Sequence, residues 1–251
     1  MTDERLPADL NAWTRELRRR DLLLAAGGAG AAAVLAACGR ATATSSRALG
    51  TTSAARLCVL TPEVTEGHYW IANNLTRRNI TEGQGGIPLY LQIDVVRASS
   101  CTAIAGADVE IWHANALGAY SGYGANTPPS AGGHATPNNG KRFLRGHQRT
   151  EHAGRVLFRT VYPGWYTGRT PHIHMKVHVG GSVGHTGQLF FRDALSDAIY
   201  RTSAYSAHGQ PDTTNAQDSI YGQAGGRRAL VHLARRGRGG YSGRATVGVA
   251  A

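Results

Sequence analysis

A phenol, a guanidinium and two imidazoles crowd into one nonapeptide, YTGRTPHIH, Tyr166 to His174. On a β-strand alternate side chains share a face, so His172 and His174 project together, about 6.6 Å apart along the chain. Such a pair can chelate one metal ion, although a pair of exposed polar positions has the same pattern. The surrounding sequence has to choose between them.

A second tyrosine, Tyr120, follows a strand-like run and a glycine in ADVEIWHANALGAYSGY, and HTGQLFF places Gln188 just beyond the histidines. The elements that carry these residues read as strands. Short runs such as LYLQIDVV, ADVEIWHA, RVLFRTVY, HIHMKVHV, GQLFF, RALVHLA and YSGRATVGVA alternate apolar with polar residues between Gly, Pro, Asn and Ser clusters. No long amphipathic helix interrupts them, which predicts an all-β fold, a Greek-key β-sandwich with long loops. RGRGG before Tyr241 reads as a hairpin turn, and the irregular 121–140 stretch as a long loop of functional kind.

Together with LTPEVTEGHYW and FLRGHQRTEHAGRVLFRTVYPGWY, these segments resemble the intradiol ring-cleavage dioxygenases, from about Cys58 to Gln188 and on toward the C-terminus. The resemblance implies a prealbumin-like sandwich with a non-haem Fe(III) centre held by Tyr120, Tyr166, His172 and His174. It implies substrate-stabilising roles for Arg169 and Gln188, and catechol-type aromatics and O2 as substrates opened to cis,cis-muconates. Phenol ionises near about pH 10 in water, so it binds as tyrosinate only beside a strong Lewis acid, and Fe(III) is a harder acid than Zn(II) or Fe(II). Tyr162 and Tyr123 compete for the ligand roles if the register slips, with packing as their simpler use, and Arg169 alone would also suit a surface carboxylate. His178 shares the histidine face but lies about 13 Å beyond His174, too far for the same ion.

Two departures concern the substrate. His68 stands where relatives with the TEG segment commonly carry proline, and with Tyr69 it is expected to line the substrate mouth. The spacing from Tyr166 to His172 is short, similar to secreted members of the family, and predicts a more open pocket.

Composition bounds the setting. Net charge is +11, almost all of it from scattered arginines, a pattern of solvated basic surface that gives no reason to expect nucleic-acid binding. Arg18, Arg19 and Arg20 precede a short apolar run that ends Leu35-Ala36-Ala37-Cys38. This predicts a twin-arginine export signal over 1–37, a lipidated Cys38 attaching the chain to a membrane, a flexible tether over 38–57 and the catalytic domain over 58–251. An ordinary cleaved signal, with Cys38 incidental, is the alternative. In an exported chain Cys58 and Cys101 are expected to pair, stabilising the fold by about 4 kcal/mol, or to stay as two buried thiols. Rival readings are an exported copper/zinc superoxide dismutase, which needs more histidines and gives paired tyrosines no role, and a non-catalytic transthyretin-like binding module.

Overall fold

The computed structural model describes residues 62–123, 136–237 and 239–250. The expected signal peptide, Cys38, the tether, Cys58 and part of the 121–140 loop lie outside the described residues. Among those described, eight strands form two four-stranded sheets: β1 (Pro88–Arg97), β2 (Asp108–Trp112), β3 (Arg145–Arg149), β4 (Arg155–Val161), β5 (His172–Val179), β6 (Ser182–Phe190), β7 (His232–Arg236) and β8 (Gly240–Val249). One sheet has the order β4-β1-β8-β7 and the other β3-β2-β5-β6. Every pairing is antiparallel except β1 with β8, and the chain changes sheet after β1, β3, β4 and β6. This is the expected all-β sandwich.

Alternation explains how the two sheets close on each other. Leu89, Leu91, Ile93 and Val95 on β1 meet Val109 and Ile111 on β2 and Ile173, Met175 and Val177 on β5 in one core cluster. Each such side chain stabilises the fold by roughly 1.5–3 kcal/mol on burial. β5 departs from half-buried alternation, because His172, His174 and Lys176 on its other face are buried as well. A second layer therefore covers the outer face of this sheet at β5. Tyr69 and Tyr120 join Trp112 and Ala114 in a separate buried cluster there.

Three elements depart from the sequence expectation. β3, RGHQR, was not expected as a strand, because its polar run carries no apolar alternation. Its register is set instead by pairing with β2 and by Arg77, whose guanidinium donates to the Arg145 carbonyl. RALVHLA is only partly strand: Gly226–Ala229 forms a 3-10 turn before β7 begins at His232. Between β6 and β7 stand two short helices, α1 (Asp193–Tyr200) and α2 (Ser219–Gln223), too brief to leave a clear helical period in the sequence. β7 and β8 pair antiparallel with Arg236 opposite Gly240, as the expected hairpin requires.

Candidate metal centre

Adjacent strands aim the histidines at one point. His174 on β5 lies opposite Trp112 on β2, and their rings stack with centroids 5.0 Å apart and planes within 5°. From the other side Gly67, at φ +80, brings backbone so close that a Cβ there would lie 2.7 Å from His174 Cε1. Packing thus holds this ring, for its buried Nδ1 has no hydrogen-bond partner. His172 is held differently: its Nδ1 lies 2.7 Å from the Thr170 carbonyl. The carbonyl accepts, so Nδ1 carries the proton and Nε2 keeps its lone pair for the centre.

Loops bring in the phenols. Asn115 ties the turn that leads to Tyr120, its Oδ1 accepting from the Leu117 and Ala119 amides. Tyr166 follows β4 through Pro163 and Gly164, whose backbone approaches the Asn115 carbonyl so closely that a Cβ would overlap it. The result is a convergence of four donor atoms. The two Nε2 atoms are 3.0 Å apart, His174 Nε2 is 3.0 Å from Tyr120 Oη, and His172 Nε2 is 3.5 Å from Tyr120 Oη and 3.4 Å from Tyr166 Oη.

The donor set fits a single small cation. Separations of this size are the edges of a coordination polyhedron with bonds of roughly 2.1 Å. Burial, followed by His172 and Arg169 at His174 and by Arg169 at His172, holds both imidazoles well below their ordinary pKa, leaving the neutral form that ligates. Burial likewise pushes the phenols of Tyr120 and Tyr166 above theirs. Both phenols therefore stay protonated until a cation stabilises the anions. Among the described residues no group of three or more His, Cys, Asp or Glu side chains is arranged to hold a metal. In this cluster the phenols complete the set.

Around the donors sits a charged network. Arg169 donates from Nη1 to Tyr166 Oη at 3.3 Å, from Nη2 to Gln188 Oε1 at 2.6 Å and from Nε to Asp218 Oδ2 at 2.8 Å. Gln188 lies opposite His174 in the β5–β6 register, and its amide nitrogen donates to the Thr65 carbonyl. The surface-carboxylate alternative for Arg169 does not hold, because its partner Asp218 is fully buried. Beneath Tyr120, buried Arg145 sits 5.9 Å from the ring centroids of both Tyr120 and Tyr123, and desolvation lowers its pKa to about 10.

The expected ligands thus come together, and the competitors stand apart from them. Tyr162 faces the sandwich core with its hydroxyl 2.8 Å from Ser196 Oγ, and Tyr123 donates to the Trp70 carbonyl. His178 lines a different groove of about 760 Å3 with Trp70, Asp108, Glu110 and His147. Tyr69 stacks on Tyr120 at 4.4 Å between centroids and meets Tyr166 edge-on at 5.8 Å, whereas His68 is exposed and touches the Tyr69 ring edge. Sequence reasoning missed Asp218, Trp112, Gly67 and Arg145. Only Asp218 left a local sign: an Asp before Ser219-Ile220-Tyr221 has the form of a helix N-cap, which says nothing of Arg169.

The fold has solved counterparts. "Intradiol ring-cleavage Dioxygenase from Tetranychus urticae" is 35% identical, with a TM-score of 0.72 over 76% of this chain and 95% of that one. The dioxygenase domain of a dioxygenase carbohydrate-binding protein fusion from Streptomyces sp. SirexAA-E is 27% identical, with a TM-score of 0.54 over 75% of this chain and 97% of that one. Hydroxyquinol 1,2-dioxygenase from Pseudomonas putida DLL-E4, at 16% identity and a TM-score of 0.55 over 76% of this chain and 66% of that one, shares the fold. No family model and no curated protein sequence matches the chain.

Proposed function

This chain belongs to the intradiol ring-cleavage dioxygenases and is an enzyme of that class, and on that premise we propose that it opens catechol-type rings between the two hydroxylated carbons with O2, giving cis,cis-muconate-type products. The cofactor in this reading is Fe(III), held by Tyr120, Tyr166, His172 and His174. The observation that carries it is the meeting of two phenol oxygens and two imidazole Nε2 atoms, with His172 Nε2 3.0–3.5 Å from the other three and His174 Nε2 3.0 Å from Tyr120 Oη. Paired tyrosinates offset two of the three ferric charges and suit a hard acid, a role that neither a copper/zinc dismutase nor a binding module would give them.

When bound, ferric ion supplies a Lewis acid and a template for both substrate oxygens. The protein's own groups supply the rest. Tyr166 is the less buried phenol, and its oxygen is bonded to Arg169, so it is suited to leave the centre and accept a catechol proton at Oη. Tyr120, stacked between Tyr69 and the Arg145 side, is suited to stay. Arg169, whose fork is oriented by Gln188 Oε1, presents N–H donors to negative charge developing on the substrate, which is preorganised electrostatic assistance. Tyr69, with His68 at its edge, offers an aromatic wall for the substrate ring.

The same reading keeps the chain exported by the twin-arginine route and anchored through Cys38. Cys38→Ala should release it from the membrane fraction, and retention there would contradict the anchor. A Cys58–Cys101 bridge is proposed as well, and mass spectrometry finding two free thiols in cell-surface protein would contradict it. For the reaction itself, iron-loaded protein should be red-brown, and titration with catechol, protocatechuate, hydroxyquinol and chlorinated catechols should move the visible band for at least one. Absence of the band, or indifference to every catechol, would refute the assignment.

A further inference from the structure

We infer that Asp218 is a positioning residue for ring cleavage: it fixes Arg169 at the centre and ties the helical excursion between β6 and β7 to the ligand loop. This inference rests on the proposed function. The four acceptor contacts of its fully buried carboxylate are divided in two. Oδ1 accepts from the Ile220 and Tyr221 amides at 2.9 and 3.3 Å, capping α2. Oδ2 accepts from Arg169 Nε at 2.8 Å and from the Thr170 amide at 3.1 Å.

The geometry gives those contacts a consequence at the centre. With Nε held by Asp218, the guanidinium plane has its two outer nitrogens left for Gln188 Oε1 and Tyr166 Oη, which are 2.6 and 3.3 Å away. A fork held on one edge presents its other donors in a fixed direction. The Thr170 amide held by the same oxygen belongs to the residue whose carbonyl orients His172. Two residues earlier, the Gly168 amide donates to Asp212 Oδ1 at 3.2 Å. The five residues between Tyr166 and His172 form a tight turn, in which the Arg169 amide donates to the Tyr166 carbonyl at 3.0 Å, and these contacts clamp that turn from outside the sandwich. Groups that hold ligands and catalytic side chains in this way commonly matter by about 10–100-fold in activity.

The experiment is a double-mutant cycle on iron-loaded protein. Asp218→Asn keeps the cap acceptor but sets an amide N–H in place of the oxygen that accepts from Arg169 Nε and the Thr170 amide. It is expected to lower kcat about 10–100-fold while KM stays near the parent value. Adding Asp218→Asn to Arg169→Gln should lower kcat no more than about twofold further, because Asp218 acts through Arg169. A double variant in which the two losses multiply would overturn the inference. If Asp218→Asn does not fold, Asp218→Ser retains an N-cap hydroxyl for α2 and takes its place in the cycle. A parent that cleaves no catechol would instead sink the function and this inference together, a result distinct from multiplying losses in an active parent.

Discussion

Tyr120 and Tyr166 are the same residue type in two environments, and the difference should appear when each hydroxyl is removed. Tyr120 is 4% exposed under Tyr69, while Tyr166 is partly open and bonded to Arg169. Tyr120→Phe is expected to weaken iron retention and the visible band with and without catechol. Tyr166→Phe is expected to keep part of the iron and still bind catechol, but to turn over slowly, having lost an acceptor for the substrate proton. Tyr123→Phe and Tyr162→Phe should leave the band intact; a band lost in either, and kept in the ligand variant it mirrors, would show the ligands to be misassigned. A second titration belongs to His113, buried with Nε2 2.7 Å from Thr160 Oγ1 and Nδ1 2.8 Å from the Ala114 carbonyl. Burial lowers its pKa to about 4. The unfolded chain takes up the proton near pH 6.5 and the folded chain only near 4, so the stability His113 contributes above pH 6.5 is lost as pH falls toward 4. The loss amounts to about 3 kcal/mol at most. Urea midpoints of the parent should fall more between pH 7 and 4 than those of His113→Gln; parallel curves would contradict the account.

At the level of elements, the histidine strand was legible because period-two alternation sets His172 and His174 on one face and Ile173 and Met175 on the other. Its cover was not. The 62–75 segment has no regular pattern, and its grip on the site comes from Gly67, where positive φ and the absence of a side chain let the backbone reach His174. Asp218 was equally hidden, since a contact spanning 49 residues follows from how the excursion folds back and leaves no local signal. Gly67→Ala is expected to displace His174 and reduce iron content several-fold, besides roughly 1–2 kcal/mol of backbone strain. Gly83→Ala, at φ +74 with open space around its Cβ, carries the strain alone and should keep its iron. Equal iron loss in both would mean that strain, not contact with His174, is responsible.

Across the whole molecule, two sheets bury a shared core, and the catalytic face lies outside that core under a layer of loops and aromatic rings. This arrangement leaves the sandwich free to supply rigid strands while connections set the chemistry. The charge of +11 is distributed along the chain with no block that would mark a binding stripe. Such a field should favour anionic substrates at a distance and be screened by salt. The kcat/KM for a carboxylated catechol is accordingly expected to fall more steeply with ionic strength than that for unsubstituted catechol; identical slopes would remove any steering role. The central claim is that this site inserts dioxygen between the two hydroxylated carbons of a catechol. Mass spectrometry of the product formed by iron-loaded protein under 18O2 tests it most directly. The account requires a cis,cis-muconate-type diacid carrying label from O2. A ring opened beside the two hydroxyls, or a catechol returned merely oxidised to its quinone without label, would contradict it.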